Sequence, residues 1–173
     1  SAVRIELPAW LDAFVREVDP VMPTVAARMR FVIELARRNV AHALGAPFGA
    51  AVFELGSQRL VAPGVNVVVP ANCSAAHAEM MALILAQQRR CTFDLGAAGQ
   101  APCELVSSAA PCAMCLGAVP WSGVTRLVCG ARDRDVRAIG FDEGVKPRHW
   151  RRAFAQRGIT VQQDVLRAEA VAV

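Results

Sequence analysis

Apolar residues along this chain switch between two periods, and the switches mark out its elements. From Val25 to Ala43, Met29, Val32, Ile33, Ala36 and Val40 recur at helical spacing, with Arg28, Arg37 and Arg38 elsewhere on the turn. That pattern predicts an amphipathic helix. Ala50 to Leu55 and Leu60 to Val69 are rich in Val and Ala and flank Gly56-Ser57-Gln58, the pattern of a two-stranded hairpin. Ser74 stands where it can cap a helix running from Ala75 to about Arg90. A short strand is expected over Glu104 to Ser108, then a helix from near Pro111 to Val119 that Pro120 should interrupt. Thr125 to Gly130 reads as another strand, Arg134 to Ile139 and Pro147 to Gln156 as weaker helices, and Ile159 to Asp164 as a last strand before a helical tail. A short helical stretch, Trp10 to Val18, precedes all of these between Pro8 and Pro20.

Two opening strands followed by helix alternating with strand describe an α/β domain whose sheet is covered on both faces. Strands joined through helices run parallel while a hairpin is antiparallel, so the central sheet of about five strands is expected to be mixed. At 173 residues the chain is expected to form one domain over residues 25–173, with residues 1–24 as an N-terminal arm packed against it. Hydrophobic residues make up 54% of the chain, enough for a buried sheet. The longest apolar runs fall well short of the ~20 residues needed to cross a bilayer, so no membrane association is expected.

The N-terminus lacks a charged region followed by an apolar one, and six cysteines in a chain of this length do not resemble a secreted disulfide scaffold. A cytoplasmic protein is expected. The net charge of +4 comes almost wholly from arginine, since Lys146 is the only lysine. Between Arg126 and Arg157 nine basic residues face four acidic ones, Asp133, Asp135, Asp142 and Glu143. Such a stretch is either a nucleic-acid footprint or a solvated helical face, and the second is preferred.

Two short motifs carry chemistry. Cys73-Ser-Ala-Ala-His77-Ala-Glu79 opens one predicted helix and Pro111-Cys112-Ala-Met-Cys115 opens the next, with a strand between. Parallel topology brings both helix starts to one edge of the sheet, where open α/β sheets place their ligands. Cys112 and Cys115 are three apart, so both can reach one ion at a Zn–S distance of ~2.3 Å. The helix N-terminus favours their thiolates. His77 would add a nitrogen, giving three protein ligands and an open fourth position, as in a catalytic rather than a structural zinc site.

Taken singly, each part has a plainer meaning. The cysteine pair alone could be redox-active or structural, His77 a capping or buried histidine, and Glu79 an acid favoured by the helix dipole. Cys73, Cys91, Cys103 and Cys129 are expected to act as small hydrophobes, and His42 and His149 to lie on the surface. Together, His77, Glu79, Cys112 and Cys115 fit H-x-E…P-C-x-x-C, which couples a zinc-held water to a carboxyl that carries protons. One geometric tension stands out. Residues two apart in a regular helix point about 200° apart, so His77 and Glu79 cannot both face one ion from a regular turn.

His77-Ala78-Glu79 with Pro111-Cys112-Ala113-Met114-Cys115-Leu116-Gly117-Ala118 resembles the purine-deaminating branch of the cytidine deaminase superfamily, over roughly Pro47 to Gln162. The resemblance implies a three-layer α/β/α sandwich, one zinc ion per subunit and a homodimer. Within that branch, Gly140-Phe141-Asp142-Glu143 is similar to the guanine deaminase signature. It implies an acid that accepts from guanine N1–H and the 2-amino group, Glu143 rather than Asp142, with Glu79 and Glu143 the two catalytic carboxylates. Pro47-Phe48-Gly49-Ala50 resembles the loop under the base, with Phe48 a stacking wall, and Asn66 corresponds to the asparagine that bonds the base. Phe141 and Trp121 would complete an aromatic wall.

The function expected is zinc-dependent deamination of a small purine base, guanine to xanthine and ammonia, with aminotriazines such as ammeline as related substrates. The alternatives are a tRNA adenosine deaminase, which would use the basic stretch, or a cytosine- or cytidine-type deaminase. A nucleic-acid partner is not expected.

Overall fold

Strand-forming residues alternate their side chains between two faces, and in this chain both faces are apolar. The computed structural model describes residues 1–173. The sheet comprises β1 (Gly49–Glu54), β2 (Leu60–Val65), β3 (Cys103–Ala109), β4 (Arg126–Ala131) and β5 (Thr160–Gln162), in the order β2-β1-β3-β4-β5. β1 pairs antiparallel with both β2 and β3, while β3–β4 and β4–β5 are parallel, so the sheet is mixed as expected. Seven helices accompany it: α1 (Ala9–Glu17), α2 (Val25–Ala41), α3 (Ala78–Arg90), α4 (Ala113–Ser122), α5 (Asp133–Ala138), α6 (Trp150–Gln156) and α7 (Arg167–Val171).

Alternation along the strands builds two cores. Ala50, Val52, Leu105 and Leu127 face Ala82, Leu83 and Ala86 of α3, Leu116 and Val119 of α4 and Phe154 of α6. Their neighbours Ala51, Phe53, Val106 and Val128 face Leu11 and Phe14 of α1 and Met29, Val32 and Ile33 of α2. The result is the three-layer α/β/α arrangement, with β1, β3 and β4 shielded on both sides and the short edge strand β5 left largely exposed.

Local details differ from the sequence pattern in instructive ways. Arg28 does not lie on the outer face of α2: it is buried, with Nε 2.5 Å from Glu104 of β3, and its Nη1 donates to the Met22 carbonyl. Val40, assigned to the apolar stripe, is exposed where α2 outruns the sheet. Strand β2 ends at Val65 rather than Val69, because the Val67 amide turns away to bond the Ala76 carbonyl. Helix α4 runs through Pro120 to Ser122. The proline sits in the last turn, so it deprives only the Leu116 carbonyl of a donor before the helix stops at Gly123 (φ 80°).

Register fixes where a site can form. Gly49 is paired with Val65, and Ala109 with Ala131, so the start of β1 and the ends of β2, β3 and β4 share one edge of the sheet. The segments leading into α3 and α4 leave from that edge.

Candidate active site

His77 is the residue preceding α3 and has an extended backbone (φ −72°, ψ 156°), whereas Glu79 is already inside the first turn. This removes the angular conflict that a regular helix from Ala75 would impose. Ser74 is therefore not the cap; the chain from Cys73 to Ala76 forms a tight turn, and the Met81 amide donates to the His77 carbonyl. The start of α4 repeats the device. Cys112 is extended (φ −63°, ψ 173°) and precedes the helix, and Cys115 lies within its first turn, fully buried.

These two helix starts bring the metal-ligating atoms together. The donor atoms of His77, Cys112 and Cys115 all lie within 4.8 Å of one another. Cys112 Sγ is 3.5 Å from His77 Nδ1, and Cys115 Sγ is 3.5 Å from Glu79 Oε2. Electrostatics favour a cation at this point. The hydrogen bond from Cys115, and behind it that from His77, holds the Cys112 thiol far below its ordinary pKa. The adjacent Cys112 sulfur and burial push Cys115 far above its own. Two buried sulfurs that can ionise together only beside a divalent cation, with an imidazole in reach, fit a zinc ion. Burial likewise pushes the Glu79 carboxyl up; it is only 6% exposed, as suits a group that must gain and lose a proton.

Beside this cluster opens a cavity of about 280 Å³ lined by His77, Glu79, Cys112, Phe48, Asn66, Phe141, Asp142 and Glu143, with alanine and valine between them. Phe48 and Phe141 meet edge to face, ring centroids 5.0 Å apart. Asn66 is buried, and its Oδ1 accepts from the Val68 amide at 3.3 Å, leaving its amide hydrogens free. Asn39 of α2 fixes the backbone beneath it, donating to the carbonyls of Asn66 (2.9 Å) and Ala46 (3.1 Å).

The two acids of the late signature part company. Glu143 is 6% exposed and turned inward, its Oε2 2.7 Å from Lys146 Nζ. The side chain of Asp142 is 93% exposed at the rim and caps its own turn by accepting from the Gly144 amide. The turn itself needs glycine, since Gly144 has φ 67° and lies against Ala113 of α4. Trp121 does not join the wall. It lies nine residues beyond Cys112, about 13 Å along the helix axis from the end that faces the cavity, and is 79% exposed.

Sequence reasoning overlooked Asn39 and Lys146. The only signals were an asparagine inside an apolar helix and the solitary lysine three residues after Glu143. Of the remaining cysteines, Cys103 and Cys129 are buried as expected but Cys91 is exposed, at the left-handed end of α3. His42 and His149 are both exposed. Part of the basic stretch is paired internally: Arg126 with Glu104, Arg132 with Asp164, Arg137 with Asp133, and Lys146 with Asp133 and Glu143. Arg134, Arg148, Arg151, Arg152 and Arg157 are exposed without an acidic partner.

Residues 22–131 match the cytidine and deoxycytidylate deaminase zinc-binding region. The chain belongs to this deaminase family. Its metal is zinc, and the His77–Cys112–Cys115 cluster is a group that could hold one such ion. The guanine deaminase of Bacillus subtilis (strain 168) is 34% identical over 115 residues, covering 66% of this deaminase and 69% of the relative. Among solved structures, NE0047 in complex with 2,6-diaminopurine superposes with a TM-score of 0.94 at 53% identity, covering 99% of this chain and 89% of that one. The guanine deaminase of Nitrosomonas europaea gives 0.94 at 52% identity, with coverage of 99% and 93%. No helix of the family member is long and apolar enough to cross a membrane.

Proposed function

We propose that this enzyme hydrolyses guanine to xanthine and ammonia. The observation that carries the reading is the inward carboxylate of Glu143 beside the His77–Cys112–Cys115 cluster, in a cavity of base size walled by Phe48 and Phe141. Guanine offers two adjacent donors, N1–H and the 2-amino group, and a carboxylate offers two acceptors. Adenine has no such pair of donors. A site built on those bonds disfavours analogues lacking them by roughly 10⁴ or more, because its buried acceptor goes unpaired.

The chemistry divides among named residues. When bound, zinc supplies a coordinated water whose pKa falls from 15.7 to about 7. Glu79 is the carboxyl next to the Cys115 sulfur, so it would pass one proton of that water to a ring nitrogen and the second, from the hydroxyl added to the ring, to the departing amine. Asn66 would turn its free amide hydrogens to the oxygen of the base, and Phe48 and Phe141, packed edge to face on each other, form one apolar wall against the ring that excludes water. Asp142 is placed at the mouth, outside the reacting centre. Aminotriazines such as ammeline carry the same donor edge and are read as secondary substrates.

We also read the enzyme as a cytoplasmic homodimer, with residues 1–24 an arm on a domain spanning 25–173. Six unpaired cysteines support a reducing compartment. The outer side of α4, uncharged and carrying Trp121, supports burial against a second copy. Arg134, Arg148, Arg151, Arg152 and Arg157 stay exposed without an acidic partner, so what disfavours a tRNA substrate is Glu143, whose inward carboxylate finds no pair of donors on adenine. The test is ammonia release from guanine, adenine, cytosine, cytidine, ammeline and tRNA. Guanine is expected to lead, and a higher kcat/KM for adenosine in tRNA or for cytosine would sink the reading.

A further inference from the structure

Lys146 stands between two carboxylates. Its Nζ is 2.7 Å from Glu143 Oε2 and 2.6 Å from Asp133 Oδ1, and its side chain is 12% exposed. Asp133 is in turn bonded by Arg137, Nε to Oδ2 at 2.8 Å. Charges thus alternate along Arg137, Asp133, Lys146 and Glu143, and they sum to zero. The same Arg137 reaches past Asp133 to donate to the Gly144 carbonyl at 2.7 Å, tying down the turn that carries Glu143. Of the other acids on the same cavity, Glu79 lies beside the Cys115 sulfur and Asp142 is solvated and 4.0 Å from Arg137. Glu143 is therefore not a free carboxyl in an apolar pocket: it is the inner end of a fixed chain of charge.

We propose that Lys146, anchored by Asp133, is a specificity-determining residue that keeps Glu143 an ionised acceptor and so selects guanine over 2-aminopurines whose N1 bears no hydrogen. This rests on the guanine reading above. An ionised carboxylate pairs with N1–H and the 2-amino group of guanine. It meets 2,6-diaminopurine badly, because N1 of that base is itself an acceptor. A neutral carboxyl group reverses the preference, since its O–H donates to N1 while its carbonyl accepts from the 2-amino group. Burial, helped by the nearby Cys112 sulfur and Asp133, holds the Glu143 carboxyl above its ordinary pKa and so toward that neutral form, and the ammonium of Lys146 is what opposes the rise. Selectivity at one edge of the base is thus set by a residue standing behind the acid that touches it.

The experiment compares binding of guanine and 2,6-diaminopurine, by calorimetry, to zinc-loaded protein on a Glu79→Gln background that does not turn over. Lys146→Met is expected to lower the guanine to 2,6-diaminopurine preference by about 10–100-fold, the worth of a charge-assisted hydrogen bond. Lys146→Gln, which keeps a donor but removes the charge, is expected to do the same and serves alone should the methionine variant fail to fold. Lys146→Arg is expected to restore most of the preference, which a merely structural role for the lysine would not explain. An unchanged preference in either neutral variant overturns the proposal. Ammonia release from guanine by the unaltered enzyme is measured alongside. Its absence condemns the functional reading, whereas its presence with unchanged preference in the variants condemns only the role of Lys146.

Discussion

Cys115 Sγ and Glu79 Oε2 lie 3.5 Å apart, although 36 positions separate the two residues in the chain. The sulfur proposed to bind the metal and the carboxyl proposed to carry protons are thus neighbours because two helices begin at one edge of the sheet, each with an extended residue ahead of its first turn. Glu79→Gln keeps the size of the side chain and removes its acidity. Turnover of guanine is expected to fall by about 10²–10⁴-fold or more while zinc content stays at one per chain. Metal analysis beside a rate assay decides it; loss of zinc with the rate would mean that Glu79 serves the metal instead.

Removal of the metal should be reversible in function. Chelation is expected to abolish ammonia release and restored zinc to recover it, since the nucleophile depends on the ion. Cys112→Ser, His77→Ala and Cys115→Ser are each expected to lower zinc occupancy, with Cys115→Ser also costing stability because that residue is wholly buried. Full occupancy in any of them removes it from the ligand set.

Glu143 and Asp142 are adjacent in sequence and opposite in exposure, so their alanine variants should separate cleanly. Glu143→Ala is expected to lower kcat/KM for guanine by about 10²-fold or more. Asp142→Ala should change it only a few-fold, as its carboxylate caps a rim turn. Steady-state kinetics with melting curves measure both, and equal losses would show that the rim acid also reads the base.

Acid should loosen the C-terminal helix before the site. Arg167 holds the Asp135 carboxyl far below its ordinary pKa, Arg132 lowers Asp164, and Arg90 lowers Glu54 at the other end of the molecule. Each depressed carboxyl binds fewer protons folded than unfolded. Its contribution is therefore complete above the unfolded carboxylate range near pH 4 and is lost as pH falls below it. Protection from hydrogen exchange in α7, referred to the intrinsic rate at each pH, is expected to fall progressively as pH drops from about 4 towards the far lower folded value of Asp135. Asp135→Asn should remove most of that acid dependence, and an unaltered acid profile in this variant would disprove the linkage.

The sequence by itself determined the element order, the mixed α/β sheet and the grouping of His77, Cys112 and Cys115, because each is written locally. Strand and helix periods follow from which face is buried, and the spacings of His77 to Glu79 and of Cys112 to Cys115 are set by one turn of chain. Residues whose meaning depends on distant partners were not legible. Arg28 looked like a surface arginine until Glu104 on the neighbouring strand accounted for its burial. Trp121 looked like part of an aromatic wall with Phe141, but it lies at the far, exposed end of α4 from the cavity. Lys146 and Asn39 acquire roles only once α5 and the end of β2 are folded against them. Tertiary structure decided those points for one reason: the worth of a charge or an amide inside a protein is fixed by what stands within about 3 Å of it, and that neighbour comes from elsewhere in the chain.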